Sequence, residues 1–178
     1  GVKEWECAVL SNHNVASFIK EFVVKLPEGE KLNFEPGSYI QIRIPKFDAI
    51  RYSDFIIDEP YKEEWDKLKM WDLVCKNGEE TVRAYSMANY PAEGNIITLN
   101  VRIATPPFDR DKGRWMNVNP GIASSYIFNL KPGDKVMMSG PYGDFHPIIN
   151  SKREMIWVGG GAGMAPLRSQ IMHMTKTL

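Results

Sequence analysis

Arg83, Tyr85 and Ser86 fall within four positions of the stretch "RAYSMANYP" and combine a guanidinium, a phenol and a hydroxyl. A guanidinium matches phosphate oxygens with two parallel hydrogen bonds. A phenol ring can lie flat on an aromatic heterocycle, and a hydroxyl can hydrogen-bond a ring nitrogen. Taken alone, so short a pattern is better explained by an ordinary strand with an exposed arginine and a half-buried tyrosine. A second set stands in "PGIASSYI", where Gly121, Ile122, Ala123, Ser124 and Ser125 open a helical pattern. Unpaired N–H groups at such a start make an anion site. The two serine hydroxyls are further donors, although simple serine capping explains them equally well. A third set is Asn100, Val101 and Arg102, a strand flanked by polar groups.

The fourth set is "GGGAGMAP", residues 159–166. Read from Gly161 it is G-x-G-x-x-P, with proline where the dinucleotide fingerprint has its third glycine. Glycines still let backbone N–H groups approach a pyrophosphate, and proline is tolerated in a first helical turn. A tight strand-to-helix connection without a ligand is the competing explanation. The strand pattern "EMIWV" before it and the helical Leu167, Ile171 and Met174 after it favour nucleotide binding.

The elements that must position these groups change character along the chain. "WECAVLSNHNVASFIKEFVVKLP" predicts two strands broken by a turn at Ser11–Asn12–His13–Asn14. "LNFEPGSYIQIRIP" predicts a turn at Pro36–Gly37 and a near-alternating strand. Residues 60–73 open with proline, crowd acids into the first turn and repeat Trp65 and Leu68 at helical spacing, which predicts a short surface helix. "TVRAYSMA" and "NIITLNVRIA" predict strands. The irregular stretch at 105–120 is long for a compact domain, and such loops are usually functional or disordered. "IASSYIFNL" predicts one or two helical turns, and "KVMMSG" a strand. Many short strands with glycine and proline turns predict a mostly β, antiparallel barrel or sandwich. After Asn150 the pattern becomes the opening βα unit of a doubly wound domain that stops at Leu178.

Composition narrows the function classes. Lys plus Arg and Asp plus Glu each number 22, so the formal net charge is zero, against the basic footprint of a nucleic-acid module. The two cysteines, Cys7 and Cys75, form no C-x-x-C pair, and the three histidines share no spacing, so no metal site is expected. Cys7 reads as a buried small hydrophobe. No apolar run of about 18 residues and no signal-type N-terminus is present, so a soluble piece of a longer polypeptide is expected.

In order along the chain, R-x-Y-S, N-V-R, P-G-x-x-S-S, G-P-Y-G-D-F and G-G-G-A-G-M-A-P resemble the ferredoxin–NADP⁺ reductase superfamily. "FEPGSYIQIRIP", "YSDF", "EEWDKLKMWDL", "RAYSMANYP" and "LNVRIATPP" are similar, more narrowly, to the F-subunit family of the sodium-translocating NADH:quinone oxidoreductases. That resemblance implies an antiparallel Greek-key FAD-binding barrel over residues 1–150, with its helical insert near 60–73. It implies a truncated start of the NADH-binding lobe over 151–178. By the same resemblance Arg83 holds the FAD pyrophosphate, Ala84 lies between, Tyr85 packs on the isoalloxazine and Ser86 bonds near N5. Tyr85 and Ser86 are thus the expected catalytic positions. Val101 and Arg102 are expected along the ribose or adenine side, Asn100 among the cofactor-binding residues, and Gly121, Ile122, Ala123, Ser124 and Ser125 at the pyrophosphate. Gly160, Gly161, Ala162, Gly163 and Met164 are expected to face NADH, the substrate of the complete protein. A [2Fe–2S] ferredoxin-like domain and the rest of the NADH lobe, both absent from this chain, are the implied partners in the polypeptide. Other subunits of a complex at the cytoplasmic face of the bacterial inner membrane are implied as well. The competing expectations are the reductase component of a bacterial oxygenase and a flavin-free β-barrel interaction module.

Overall fold

Ile40, Ile42 and Ile44 alternate with Tyr39, Gln41 and Arg43, the period-two pattern of a strand with one buried face. The computed structural model, which describes residues 2–89 and 95–144, has this strand as β3 (Ser38–Ile44). Five others join it: β1 (Lys3–Ala16), β2 (Ile19–Lys25), β6 (Thr81–Ser86), β7 (Ile96–Arg102) and β10 (Lys135–Asp144). Their order in one antiparallel sheet is β6-β3-β10-β1-β2-β7, the Greek-key arrangement expected. Two small two-stranded sheets complete the described strands, β4 (Phe47–Arg51) with β5 (Val74–Asn77), and β8 (Phe108–Asp109) with β9 (Arg114–Trp115). The helices are α1 (Lys62–Lys67) and α2 (Ile122–Phe128). The expected NADH-lobe segment 151–178 lies outside the described residues.

One face of the sheet carries the core: Val9, Phe22, Val24, Ile40, Ile42, Leu99, Val101 and Met138 are all buried. Helix α2 closes one end of it. Asn12, on the inner face of β1, donates from Nδ2 to the carbonyls of Ile127 (2.8 Å) and Leu130 (2.9 Å). This overturns the expected turn at residues 11–14, because β1 runs unbroken from Lys3 to Ala16. Turn-prone side chains leave the backbone free to extend when they find partners elsewhere. Asn14 supplies the same lesson, accepting the Asp58 N–H at Oδ1 while its own N–H bonds Asp58 Oδ2.

The insert at 60–73 is also shorter and less superficial than its spacing suggests. Helix α1 ends after Lys67, Lys69 adopts a left-handed conformation (φ 54°), and Met70–Asp72 form one 3₁₀ turn. Trp65 is fully buried rather than surface-lying, with Nε1 bonded to the Ser17 carbonyl at 2.6 Å. Its ring packs against Tyr52, Phe55, Trp71 and Phe128. The long loop after β7 folds back on this insert. Trp115 Nε1 donates to the Lys69 carbonyl (3.0 Å), and Lys69 Nζ donates to the Gly113 carbonyl (3.2 Å).

Candidate functional site

Strands β6 and β7 are the two ends of the six-stranded sheet, and no ladder joins them. They meet just beyond β6, where the Ala88 N–H reaches the Thr98 carbonyl at 2.7 Å. Asn89 pins the same place with its amide, donating to the Ile96 carbonyl (2.8 Å) and accepting the Thr98 N–H (3.0 Å). Sequence reasoning gave Asn89 no role. The signal was there in an asparagine closing a strand, since its amide mimics a backbone unit.

From that contact the two strands run apart as an unzipped seam, and the register says which groups line it. The Met87 N–H bonds the Ser38 carbonyl, so the backbone groups of Arg83, Tyr85 and Met87 face β3. Those of Ala84 and Ser86 therefore point the other way, toward β7. On β7, the Leu26–Asn95 and Ile103–Phe18 bonds turn the odd-numbered residues toward β2. Thr98, Asn100 and Arg102 consequently present their backbone groups to the seam. Counted antiparallel from Ala88 and Thr98, Ser86 falls opposite Asn100.

Strand alternation divides the R-x-Y-S residues between two faces. Arg83 and Tyr85 share the side of Ile42 and Ile40, their partners on β3. Ala84 and Ser86 share the side of Gln41 and Tyr39. Because β6 is an end strand, a flat ligand lying along its free edge can still touch residues of both faces. Arg83 is exposed, holds Thr81 Oγ1 (2.7 Å) and the Val82 carbonyl (3.1 Å), and has no carboxylate partner among the described residues. Tyr85 is 5% exposed, and burial pushes its phenol well above the ordinary tyrosine value. Ser86 is fully buried, and its Oγ has no hydrogen-bond partner among the described residues.

On β7, Val101 is a core residue opposite Lys20. Arg102 is exposed and lines a cavity of about 200 Å³ with Phe18, Leu68, Met70, Thr105 and Trp115. Asn100 between them is 8% exposed, and both ends of its amide lack partners among the described residues.

The start of α2 is built around a close approach. A Cβ on Gly121 would stand 2.7 Å from Ala104 Cβ and 2.9 Å from Ser124 Oγ, so only glycine fits. Its N–H bonds the Ala104 carbonyl at 2.8 Å. Ser124 Oγ accepts the Ala104 N–H (3.0 Å), and Ser125 Oγ shares a hydrogen bond with Tyr52 Oη (2.8 Å). Both hydroxyls are thus engaged in the interior. The N–H groups of Ile122, Ala123 and Ser124, in the first turn, have no partner within the helix. The donors left to an anion here are backbone groups. Gly160, Gly161, Ala162, Gly163 and Met164 lie outside the described residues.

Residues 69–146 match the family model described as "Oxidoreductase FAD-binding domain", and the fold is ferredoxin-reductase-like. Over its whole length the chain is similar to F-subunits of the Na(+)-translocating NADH-quinone reductases. It is 56% identical to the F-subunit from Methylococcus capsulatus over 178 residues, all of this chain and 42% of the relative. It is 52% identical to the one from Shewanella putrefaciens over 99% of this chain and 56% of the relative. The chain thus spans about half the length of these curated relatives. Among solved structures, the flavohaem-like FAD/NAD-binding domain of nitric oxide dioxygenase from Vibrio cholerae shares the fold. It has a TM-score of 0.58 and 19% identity, covering 97% of this chain and 57% of that one.

Proposed function

We propose that this chain is the FAD-binding electron-transfer domain of an NADH dehydrogenase subunit in a sodium-pumping NADH:quinone oxidoreductase. The observation that carries the flavin part is Ser86: a fully buried hydroxyl with no partner among the described residues, inside the stretch that matches an FAD-binding family. Buried polar groups are almost always satisfied, so an orphan beside the seam supports a ligand there. The residues fit the group. Arg83 offers an uncommitted charge to a phosphate, the first turn of α2 offers backbone donors, and Gly121 lets the chain pass closely there.

When bound, FAD supplies the chemistry of accepting a hydride at N5 and releasing electrons one at a time. The chain's own task is to hold and orient. Ser86 would hold its hydroxyl toward the reactive edge, Tyr85 would offer the rim of its largely buried ring, and Arg83 with the first turn of α2 would anchor the phosphates. No side chain is required as an acid or base for hydride arrival. The NADH lobe begun by residues 159–166, a [2Fe–2S] acceptor in the same polypeptide and membrane-bound partner subunits complete the proposal. Support for them comes from the names of the relatives, from the G-x-G-x-x-P turn and from the share of those relatives' length this chain spans. The similarity also takes in the insert at 60–73, which favours this subunit over an oxygenase reductase.

Titration of the purified protein with FAD, followed by flavin fluorescence and visible absorbance, tests the proposal. One flavin per chain is expected. A protein that stays colourless after reconstitution would leave the flavin-free module instead.

A further inference from the structure

Two arginines on adjoining strands use the same planar fork to different extents. Arg43, on β3, gives Nη1 to Glu80 Oε1 (2.7 Å) and both Nε and Nη2 to Glu4 Oε2 (3.1 and 2.8 Å). Nε and Nη2 point their N–H groups the same way, so together they form one edge of the guanidinium. Arg83, on β6, has only the first half of that arrangement. Its Nη1 donates to Thr81 Oγ1 (2.7 Å) and to the Val82 carbonyl (3.1 Å). Its Nε–Nη2 edge has no partner among the described residues, and the side chain is exposed.

Strand geometry explains why a hydroxyl and not an acid holds Arg83. Residues two apart on a strand share a face, which sets Thr81 beside Arg83, opposite Ile44 and Ile42 of β3. Arg43 stands opposite Val82, on the other face, and it holds Glu80 there. A carboxylate in the place of Thr81 would neutralise the Arg83 charge. The threonine fixes one nitrogen and leaves the charge and the second edge available. Its β-branched side chain is stiff at χ1, so Oγ1 is itself held in place. We propose that Thr81 is a positioning residue for the cofactor phosphates: by holding Nη1, it turns the Nε–Nη2 edge of Arg83 outward as a preformed pair of donors for one phosphate group. This rests on the flavin assignment above. Without that bond the long side chain must be ordered at the moment of binding, which costs affinity.

FAD titrations of wild type, Thr81→Val and Thr81→Ser test this, with Thr81→Val also made beside Arg83→Ala. Valine keeps the branched shape suited to a strand and removes the acceptor. Thr81→Val should weaken FAD binding about three- to tenfold, the worth of one net hydrogen bond, and Thr81→Ser should restore it. Beside Arg83→Ala, Thr81→Val should cost nothing further, because the group it orients is gone. The flavin-free Thr81→Val protein should melt with wild type. Wild-type FAD affinity in Thr81→Val, or an equal loss beside Arg83→Ala, would overturn the role of Thr81 while leaving flavin binding intact. A lowered melting temperature in Thr81→Val, not recovered in Thr81→Ser, would mark a merely structural threonine and overturn it too. Failure of the wild-type protein to take up FAD would overturn the flavin assignment as well.

Discussion

Lys20 gives the most quantitative prediction, because a charged group sits where Val101 and the core surround it. It is 1% exposed, its Nζ reaches the carbonyls of Asn12 (3.1 Å) and Ile56 (2.5 Å), and it stands 5.5 Å from the Phe128 ring centroid. Burial is the main cause that lowers its pKa from 10.5 to about 8; Asp58 opposes the shift and Lys131 adds to it. At 1.36 kcal/mol per pKa unit, the charged lysine costs the folded state about 3 kcal/mol at neutral pH. The sign follows from linkage. The folded pKa lies below the unfolded one, so between about 8 and 10.5 the unfolded chain holds a proton the folded chain has released. Stability attributable to Lys20 therefore rises with pH across that window, by about 2 kcal/mol between pH 7 and 9.5. Raw stability will not show this cleanly, because burial raises Cys7 to about 12 and also raises Cys75, Tyr52 and Tyr85. Those groups act in the opposite sense at alkaline pH. The difference between wild type and Lys20→Met cancels them. Urea unfolding of both proteins from pH 7 to 9.5 should show wild type gaining about 2 kcal/mol on the variant. A difference that stays flat, or that shrinks for wild type, would refute the burial argument.

Three further outcomes are expected. Gly121→Ala should cost about 1–3 kcal/mol by overpacking, since the new Cβ meets Ala104 and Ser124, and should weaken FAD binding in parallel; thermal melting and flavin titration check both. Trp65→Ala should cost about 3–5 kcal/mol in urea unfolding, because a fully buried ring and its bond to Ser17 are lost together. Ser86→Ala should keep FAD but slow its reduction by NADH, as measured by stopped-flow absorbance. Reduction at the wild-type rate would remove Ser86 from the reactive edge.

Much of the fold was legible where one residue type answered one local demand. β3 follows from alternating isoleucines, and Gly37, at φ 87°, from the turn that precedes it. β6, β7, α2 and β10 likewise follow from pattern and punctuation. What escaped depends on partners distant in the chain. Asn12 and Asn14 look like a turn until Ile127, Leu130 and Asp58 are known to satisfy them. Trp65 looks superficial until Ser17 and Phe128 arrive over it. The candidate site divides in the same way. Its residue types were visible as motifs, but the facing of Ser86 and Asn100 is set by pairing between strand ends that no local spacing reports. Nor could spacing tell that Ser124 and Ser125 spend their hydroxyls on Ala104 and Tyr52.

The clasp between Lys69 and the β8–β9 hairpin has a practical consequence. Two segments that look like independent surface loops, one at 60–73 and one at 105–120, share a pair of reciprocal hydrogen bonds through a single residue. The hairpin tip carries the exposed basic residues Arg110 and Lys112, both sites for trypsin. Cleavage there is expected to quicken when the Lys69 clasp opens, because a protease binds its substrate segment extended and lifted from the surface. The rate of nicking at that tip is therefore a built-in reporter of the insert, readable on a gel without any label.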